Sequence, residues 1–232
     1  VMLDGVMRRL IDPLTGSLAR RIAARGVKAD QLTLAGFVLG LACAAAIALR
    51  WDIAALVLLA MSRVLDGLDG AVARATRITD RGGFMDITCD FIFYGVVPLA
   101  FALRDPTANA LPAAVLLAAF YANGASFLAF SATAAKRGMT SEKRGPKSLY
   151  FTTGLTEGTE TIALFTAFIL FPGHFPLLAL PFAVLCIITC LSRMLLAWHV
   201  FGVDEPANPS ASAWLEPPVA IATEDDPGTK TR

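Results

Sequence analysis

Apolar residues run through the chain in six long blocks with short polar breaks between them. The blocks extend roughly from Gln31 to Ala48, Ile53 to Ala73, Gly83 to Leu103, Leu111 to Thr133, Leu155 to Phe171 and Phe175 to Val200. Each comes close to the ~20 residues that a helix needs to cross a hydrocarbon core, some only by including polar motifs. The blocks are rich in Ala and Leu and lack period-two alternation, so they predict helices rather than strands. Breaks such as Arg50-Trp51-Asp52 and Arg104-Asp105-Pro106 mark the turns. The pattern predicts an all-α, polytopic membrane protein with six transmembrane helices.

Ahead of the first block, Met7, Leu10, Ile11, Leu14, Leu18 and Ile22 recur at helical spacing, and Arg8, Arg9, Arg20, Arg21 and Arg25 supply a polar side. This predicts an amphipathic helix lying in the membrane interface over residues 1–30, with Pro13 as a kink or break. A frayed tail is the competing reading. No compact apolar core follows the first charges, as a cleavable signal would require. Residues 31–202 then form the six-helix domain. Residues 203–232 are rich in Pro, Ala, Ser and acids (Asp204, Glu205, Glu216, Glu224, Asp225, Asp226) and predict a disordered acidic tail. No repeat of solenoid period is visible, and no second, soluble catalytic domain fits in the remaining length.

Lys and Arg set the orientation. Arg8, Arg9, Arg20, Arg21, Arg25 and Lys28 precede the first block; Arg74, Arg77 and Arg81 follow the second; Lys136, Arg137, Lys143, Arg144 and Lys147 follow the fourth. The opposite loops offer only Arg50 and Arg104. Both termini are therefore expected in the cytoplasm, with the protein in the cell (inner) membrane.

Composition sharpens this picture. Of 232 residues, 56% are hydrophobic and 17% charged, against ~45–50% and ~25% in average soluble domains. An ordinary soluble domain, whole-chain disorder and a disulfide scaffold are thereby excluded. A formal net charge of +1 leaves no basic excess for nucleic acid. Cys43, Cys89, Cys186 and Cys190 all lie in apolar stretches without a CxxC, and read as small core or lipid-facing residues. Two histidines, His174 and His199, are too few for a His-rich metal site.

The chemistry concentrates in Leu65–Asp90, which reads LDGLDGAVARATRITDRGGFMDITCD. Charges inside membrane spans are costly and mark function. Asp66 and Asp69 are three apart on one helix face; Asp86 and Asp90 are four apart on a face of the next. A short loop makes the two helices antiparallel neighbours, so all four acids can meet at the cytoplasmic end of the bundle. Unpaired, they would repel one another. Arg74 can neutralise one, and divalent cations the rest. Carboxylates without soft ligands suit Mg²⁺, with Mn²⁺ as substitute, and two ions ~3.5–4 Å apart can clamp a displacement at phosphorus. Gly70 and Ala73 leave room for a flat or bulky group against the backbone, and Gly82 and Gly83 open the next helix, where free amides favour an anion. Capping and ion pairing with Arg63, Arg74, Arg77 and Arg81 is the bland alternative, and the one preferred for Asp80.

The run Asp66-x2-Asp69-Gly70-x2-Ala73-Arg74-x7-Gly82-x3-Asp86-x3-Asp90 resembles the motif of the CDP-alcohol phosphatidyltransferase family, and the resemblance covers the six-helix body. It implies six membrane helices, a homodimer, and transfer of a phosphoalcohol group from a CDP-alcohol to a hydroxyl with release of CMP. Asp66, Asp69 and Asp86 would bind the metals. Asp90 would approach a metal and act as general base on the acceptor. Gly70, Ala73 and Arg74 would line the CDP site, Gly82 would permit close packing there, and Thr79 would touch the pyrophosphate. Asp30-Gln31-Leu32-Thr33 resembles the family's TPN-x-LT segment, with Ala29 in place of proline, which adds Asp30 and Thr33 to the substrate site. A site at the cytoplasmic end meets a water-soluble acceptor while the donor's acyl chains stay among the membrane lipids. That makes CDP-diacylglycerol the expected donor and a phospholipid the product.

The acceptor is less defined. Arg193, deep in the sixth block, needs an anion or carbonyls: it would hold an acceptor phosphate or pair with Glu157 or Glu160. Members that use phosphorylated acceptors resemble one another in a lysine near the inner end of the fourth helix. Here the stretch SFLAFSATAAKRG has its first basic residue only at Lys136. Glu157 and Glu160 would bind an ammonium or hydroxyl of the acceptor, or serve as partners for Arg193 or the basic loop. The alternative to an enzyme is a small transporter or cation-binding membrane protein, which would place its acids near mid-membrane and show inverted repeats.

Overall fold

A computed structural model describes residues 16–139 and 158–202. Among them all regular structure is helical. A short helix, α1 (residues 16–24), leads into α2 (Ala29–Ala48), α3 (Asp52–Ala75), α4 (Asp80–Arg104), α5 (Pro106–Lys136), α6 (Gly158–Leu170) and α7 (Phe175–Phe201), the last entered through a 3-10 turn at Pro172–His174. The expected breaks are real breaks with local causes. The Thr79 hydroxyl accepts from Gly82 N at 3.1 Å and caps α4. Asp105 accepts from Ala108 N at 3.1 Å and caps α5, whose first residue is Pro106. Capping at α4 thus falls to Thr79, and Asp80 sits in the first turn of that helix.

Each of the six blocks yields a helix, but the helices differ in their fitness to cross a bilayer. Length and apolarity together qualify α2, α4, α5 and the stretch Pro172–Phe201. α3 has 24 residues but carries Asp52, Arg63, Asp66, Asp69 and Arg74. α6 is described over 13 residues, Gly158–Leu170, and the residues just before it lie outside the described residues. The expected interfacial helix is described only from residue 16, so Met7, Arg8, Arg9, Leu10, Ile11, Pro13 and Leu14 lie outside the described residues, as do Lys143, Arg144, Lys147, Glu157 and the acidic tail. Within α1 the expected apolar face divides. Ala19 is fully buried and packs with Ile22 and Ala23 against Ala71 and Val72 of α3, whereas Leu18 points outward.

α2 is the strut of the fold. It packs against both α3 and α4, while α3 and α4 make few close backbone approaches to each other. Direct antiparallel packing of α3 on α4 is thus replaced by a shared seat on α2. Small residues make that possible. A Cβ at Gly36 would lie 3.2 Å from the Ser62 carbonyl oxygen, and one at Gly40 would lie 2.8 Å from the Phe93 ring. The Ser62 hydroxyl donates to the Gly36 carbonyl at 2.7 Å. Beyond α4 the chain continues through α5 to α7, with α6 reaching α3 and α7.

The core is aromatic. Phe101 stacks on Phe175 at 4.7 Å, and Phe93 meets Phe165 edge-on at 5.8 Å, joining α4 to α6 and α7. The side opposite the α3–α4 connection is pinned by Arg104, which pairs with Asp52, and by Arg50, which donates to the Arg104 carbonyl at 2.8 Å. On the side of that connection Arg137 donates to the Phe201 carbonyl at 2.8 Å and so satisfies the end of α7. Large apolar side chains such as Ile53, Leu111, Leu177 and Trp198 stand exposed on the outer faces of the helices, as a lipid-facing surface requires.

Candidate metal and substrate site

The gap left between α3 and α4 is lined with acid. α3 carries Asp66 and Asp69 one turn apart, and α4 brings Asp86 to meet them. One carboxylate oxygen of each lies within 4.8 Å of the others. Asp69 is the most enclosed, and its Oδ2 accepts a hydrogen bond of 2.5 Å from the Thr33 hydroxyl of α2. Oxygens bound to one Mg²⁺ or Ca²⁺ at about 2.0–2.6 Å sit within about 5 Å of each other, so the spacing fits a single hard divalent ion. The donor set is all carboxylate, without sulfur or imidazole, which fits the same class of ion.

The fourth aspartate, Asp90, stands beside the trio, and Arg63 bridges it to Asp66. Asp90 Oδ1 accepts from Arg63 Nη1 at 3.0 Å, and the same nitrogen lies 3.5 Å from Asp66 Oδ2. Arg63 Nη2 donates to the Ser62 hydroxyl at 3.1 Å, and its guanidinium carbon sits 4.6 Å above the Phe93 ring. The sequence alone assigns Arg63 no more than a surface ion-pairing role. A signal for more is nevertheless present there: a cation inside an apolar block, three residues before Asp66 and so on its face.

The remaining expected site residues fall into two groups. Arg74 folds back along α3, with Nη1 3.4 Å from where a Cβ of Gly70 would stand, so Gly70 makes room for its own helix's guanidinium. Ala73 lies half-buried on the same helix. At the start of α4, Asp30 pairs with Arg81. A Cβ on Gly82 would press on Thr79 Oγ1 at 3.1 Å and on Asp30 Oδ1 at 3.3 Å. Gly82 therefore lets the beginnings of α2 and α4 close together. Arg193 is buried elsewhere, between α7 and α5. Its Nη1 donates to the carbonyl oxygen of Asn123 at 2.9 Å, to Asn123 Oδ1 at 3.0 Å and to the Ser126 hydroxyl at 2.6 Å. Neither Asn123 nor Ser126 stands out in the sequence, because small polar residues within an apolar helix announce no partner.

Residues 27–203 match the model of the CDP-alcohol phosphatidyltransferase family. The chain belongs to that family. Among its relatives is the inner membrane protein YnjF of Escherichia coli, 46% identical over 193 residues, which are 83% of this chain and 94% of YnjF. The archaetidylinositol phosphate synthase of Pyrococcus horikoshii is 37% identical over 90 residues, 38% of this chain and 47% of that protein. The phosphatidylinositol phosphate synthase of Mycobacterium tuberculosis, solved with CDP-DAG bound, shares the fold with a TM-score of 0.68 and 22% identity, covering 84% of this chain and 100% of that one. The same synthase in complex with manganese and citrate superposes with a TM-score of 0.62 at 22% identity, over 83% and 93% of the two chains. Family membership leaves the transporter alternative without support, and all four aspartates of the motif lie inside the matched region.

Proposed function

We propose that this chain is a membrane-embedded phosphotransferase that moves a phosphatidyl group from CDP-diacylglycerol to the hydroxyl of a polar alcohol, releasing CMP. The observation that carries the reading is the Asp66–Asp69–Asp86 trio, gathered from two helices within the family-matched region. These three carboxylates would hold Mg²⁺, with Mn²⁺ as a substitute. A divalent ion held there would supply charge neutralisation for the donor's pyrophosphate and for CMP as leaving group. A second ion, as the four-aspartate motif implies, would be shared with Asp90, whose Oδ1 accepts from Arg63 in this structure.

In this reading Gly70, Ala73 and Arg74 line the cytidine nucleotide, and Thr79, Asp30, Thr33 and Gly82 border its phosphates. Asp90 is the general base. The acceptor oxygen bonds to the phosphorus that carries diacylglycerol, the bond from that phosphorus to the CMP oxygen breaks, and the acceptor proton passes to Asp90. Arg193 would meet an acceptor phosphate, its guanidinium steadied by Asn123 and Ser126. The M. tuberculosis synthase with bound CDP-DAG supports the donor, and its manganese complex supports a divalent ion.

We place the enzyme in the inner membrane, as the name of its E. coli relative supports. Residues 31–202 are the catalytic domain, with α3 and α6 crossing the membrane as its second and fifth spans. The amphipathic N-terminal segment lies in the interface, the acidic tail and the N-terminus are cytoplasmic, and the protein is a homodimer. The charges of α3 are compatible with a span because they turn to one another or to neighbouring helices, as Arg63 does to Asp90 and Asp52 to Arg104.

The test is CMP release by purified protein in nanodiscs containing CDP-diacylglycerol, scored across glycerol 3-phosphate, inositol, inositol phosphate, serine, choline and glycerol. One of these alcohols should drive release that EDTA abolishes. Asp90→Asn should lower that rate by about 10²–10⁴-fold, the usual contribution of a general base, with folding unchanged. Release that ignores EDTA, or an Asp90→Asn rate equal to wild type, would remove the mechanism.

A further inference from the structure

α4 carries a polar side chain that the transfer reaction above leaves unused. Tyr94 lies one turn beyond Asp90, on the same side of the helix. Its ring is held by aromatic rings from three helices: Phe93 of α4 at 6.2 Å, Phe120 of α5 at 6.4 Å and Phe165 of α6 at 6.1 Å. The hydroxyl emerges from this cluster at the first described turn of α6. A Cβ on Gly158 would stand 3.5 Å from it and meet no other atom of the described residues within 4 Å. Gly158 thus offers the hydroxyl no side chain to bond and leaves space beside it. Phe165 meets Phe93, and Phe168 meets Phe101 at 5.6 Å, so α4 and α6 run in the same direction. Gly158 therefore lies on the Asp90 side of Phe165. A ring seated on Phe165 with its hydroxyl beside Gly158 points back toward the acids, the direction that helical side chains take. Tyr94 is only half-buried despite its three aromatic neighbours. A tyrosine inside a bundle brings its hydroxyl to a partner, and the space beside Gly158 is where that partner belongs.

We infer that Tyr94 is a specificity-determining residue for the acceptor: its hydroxyl bonds one hydroxyl of a polyhydric alcohol seated between α4 and α6, while a second hydroxyl of the same molecule faces Asp90. A phenol hydroxyl both donates and accepts, so it matches another hydroxyl. It supplies neither the negative charge that an ammonium group calls for nor the positive charge that a phosphate calls for. One helical turn is about 5.4 Å, a spacing that one small polyol can bridge. The clamped ring leaves the hydroxyl little freedom to lose when the acceptor binds. The inference rests on the transferase reading and adds which side chain recognises the acceptor and what the acceptor has to carry.

The test is CMP release in nanodiscs containing CDP-diacylglycerol, with inositol phosphate, glycerol 3-phosphate, inositol or glycerol as acceptor, by wild type and by Tyr94→Phe, which removes the hydroxyl and keeps the ring. KM for the polyol that drives release should rise about 2–12-fold, the range that one uncharged hydrogen bond covers, while KM for CDP-diacylglycerol and Tm stay unchanged. One monodeoxy analogue of that polyol should show the same KM with both proteins, because the bond is already missing; a merely structural tyrosine would not erase that difference. An unchanged polyol KM in Tyr94→Phe, or serine or choline as the alcohol that drives release, would overturn the role of Tyr94 and leave the transferase reading standing. If Tyr94→Phe does not fold, Gly158→Val decides: it fills the space beside the hydroxyl and should raise KM for the polyol alone, and an unchanged KM would overturn the inference. Absence of CMP release with every alcohol would overturn both this inference and the reading beneath it.

Discussion

Asp69 owes its orientation to a residue from another helix. The Thr33 hydroxyl on α2 holds Oδ2 at 2.5 Å, leaving the carboxylate little freedom to turn from Asp66 and Asp86. Partners that orient a metal ligand are worth about 10–100-fold in affinity. Thr33→Val keeps the shape and removes the donor, so Mn²⁺ affinity should fall by that factor in a titration of purified protein; unchanged affinity would deny Thr33 its role. At this scale the sequence is informative where spacing alone decides. The i,i+3 pair Asp66 and Asp69 has to share a face, and Thr33 joins the site by resemblance. The rotation of Asp90 toward Arg63 is not legible, because it depends on how far α3 stands from α4, which neither helix encodes by itself.

The helices meet through glycines. Phe91 of α4 covers Gly124 of α5, and a Cβ at Gly124 would fall 2.2 Å from its ring. Neighbouring Asn123 and Ser126 hold Arg193, so one stretch of α5 fixes both α4 and α7. Gly124→Ala should therefore destabilise by about 1–3 kcal/mol, the usual cost of overpacking, seen as a lowered Tm in detergent. Gly67→Ala, which meets nothing within 4 Å, should leave Tm unchanged or raise it, since alanine favours a helix over glycine. Equal Tm losses in the two variants would contradict this packing account. Element boundaries are readable from Thr79, Asp105 and Pro106, whose chemistry stops and starts helices locally. The position of α2 between α3 and α4 is not, since Gly36 and Gly40 inside an apolar block advertise close contact without naming the neighbour.

For the whole molecule, the distribution of Lys and Arg predicts an orientation that labelling can check. In a background without the four native cysteines, Trp51→Cys and Thr107→Cys should react with a membrane-impermeant thiol reagent in intact cells. Arg77→Cys and Lys136→Cys should react only after the membrane is opened. The reverse pattern would place the acidic site on the outer face, away from cytoplasmic acceptors. Each of the six blocks in the sequence corresponds to a helix among the described residues, but the blocks alone do not show that α3 gives up apolarity for charges that serve the site while four stretches qualify by length and apolarity.

The proposed activity depends on acids from α3 and α4 gripping a cation between them. The most direct measurement is anomalous scattering from crystals of the full chain grown with Mn²⁺ and CDP-diacylglycerol. The account predicts a peak bounded by Asp66, Asp69 and Asp86, with the donor's pyrophosphate beside it. No peak among these carboxylates, or one held by other residues, would contradict it.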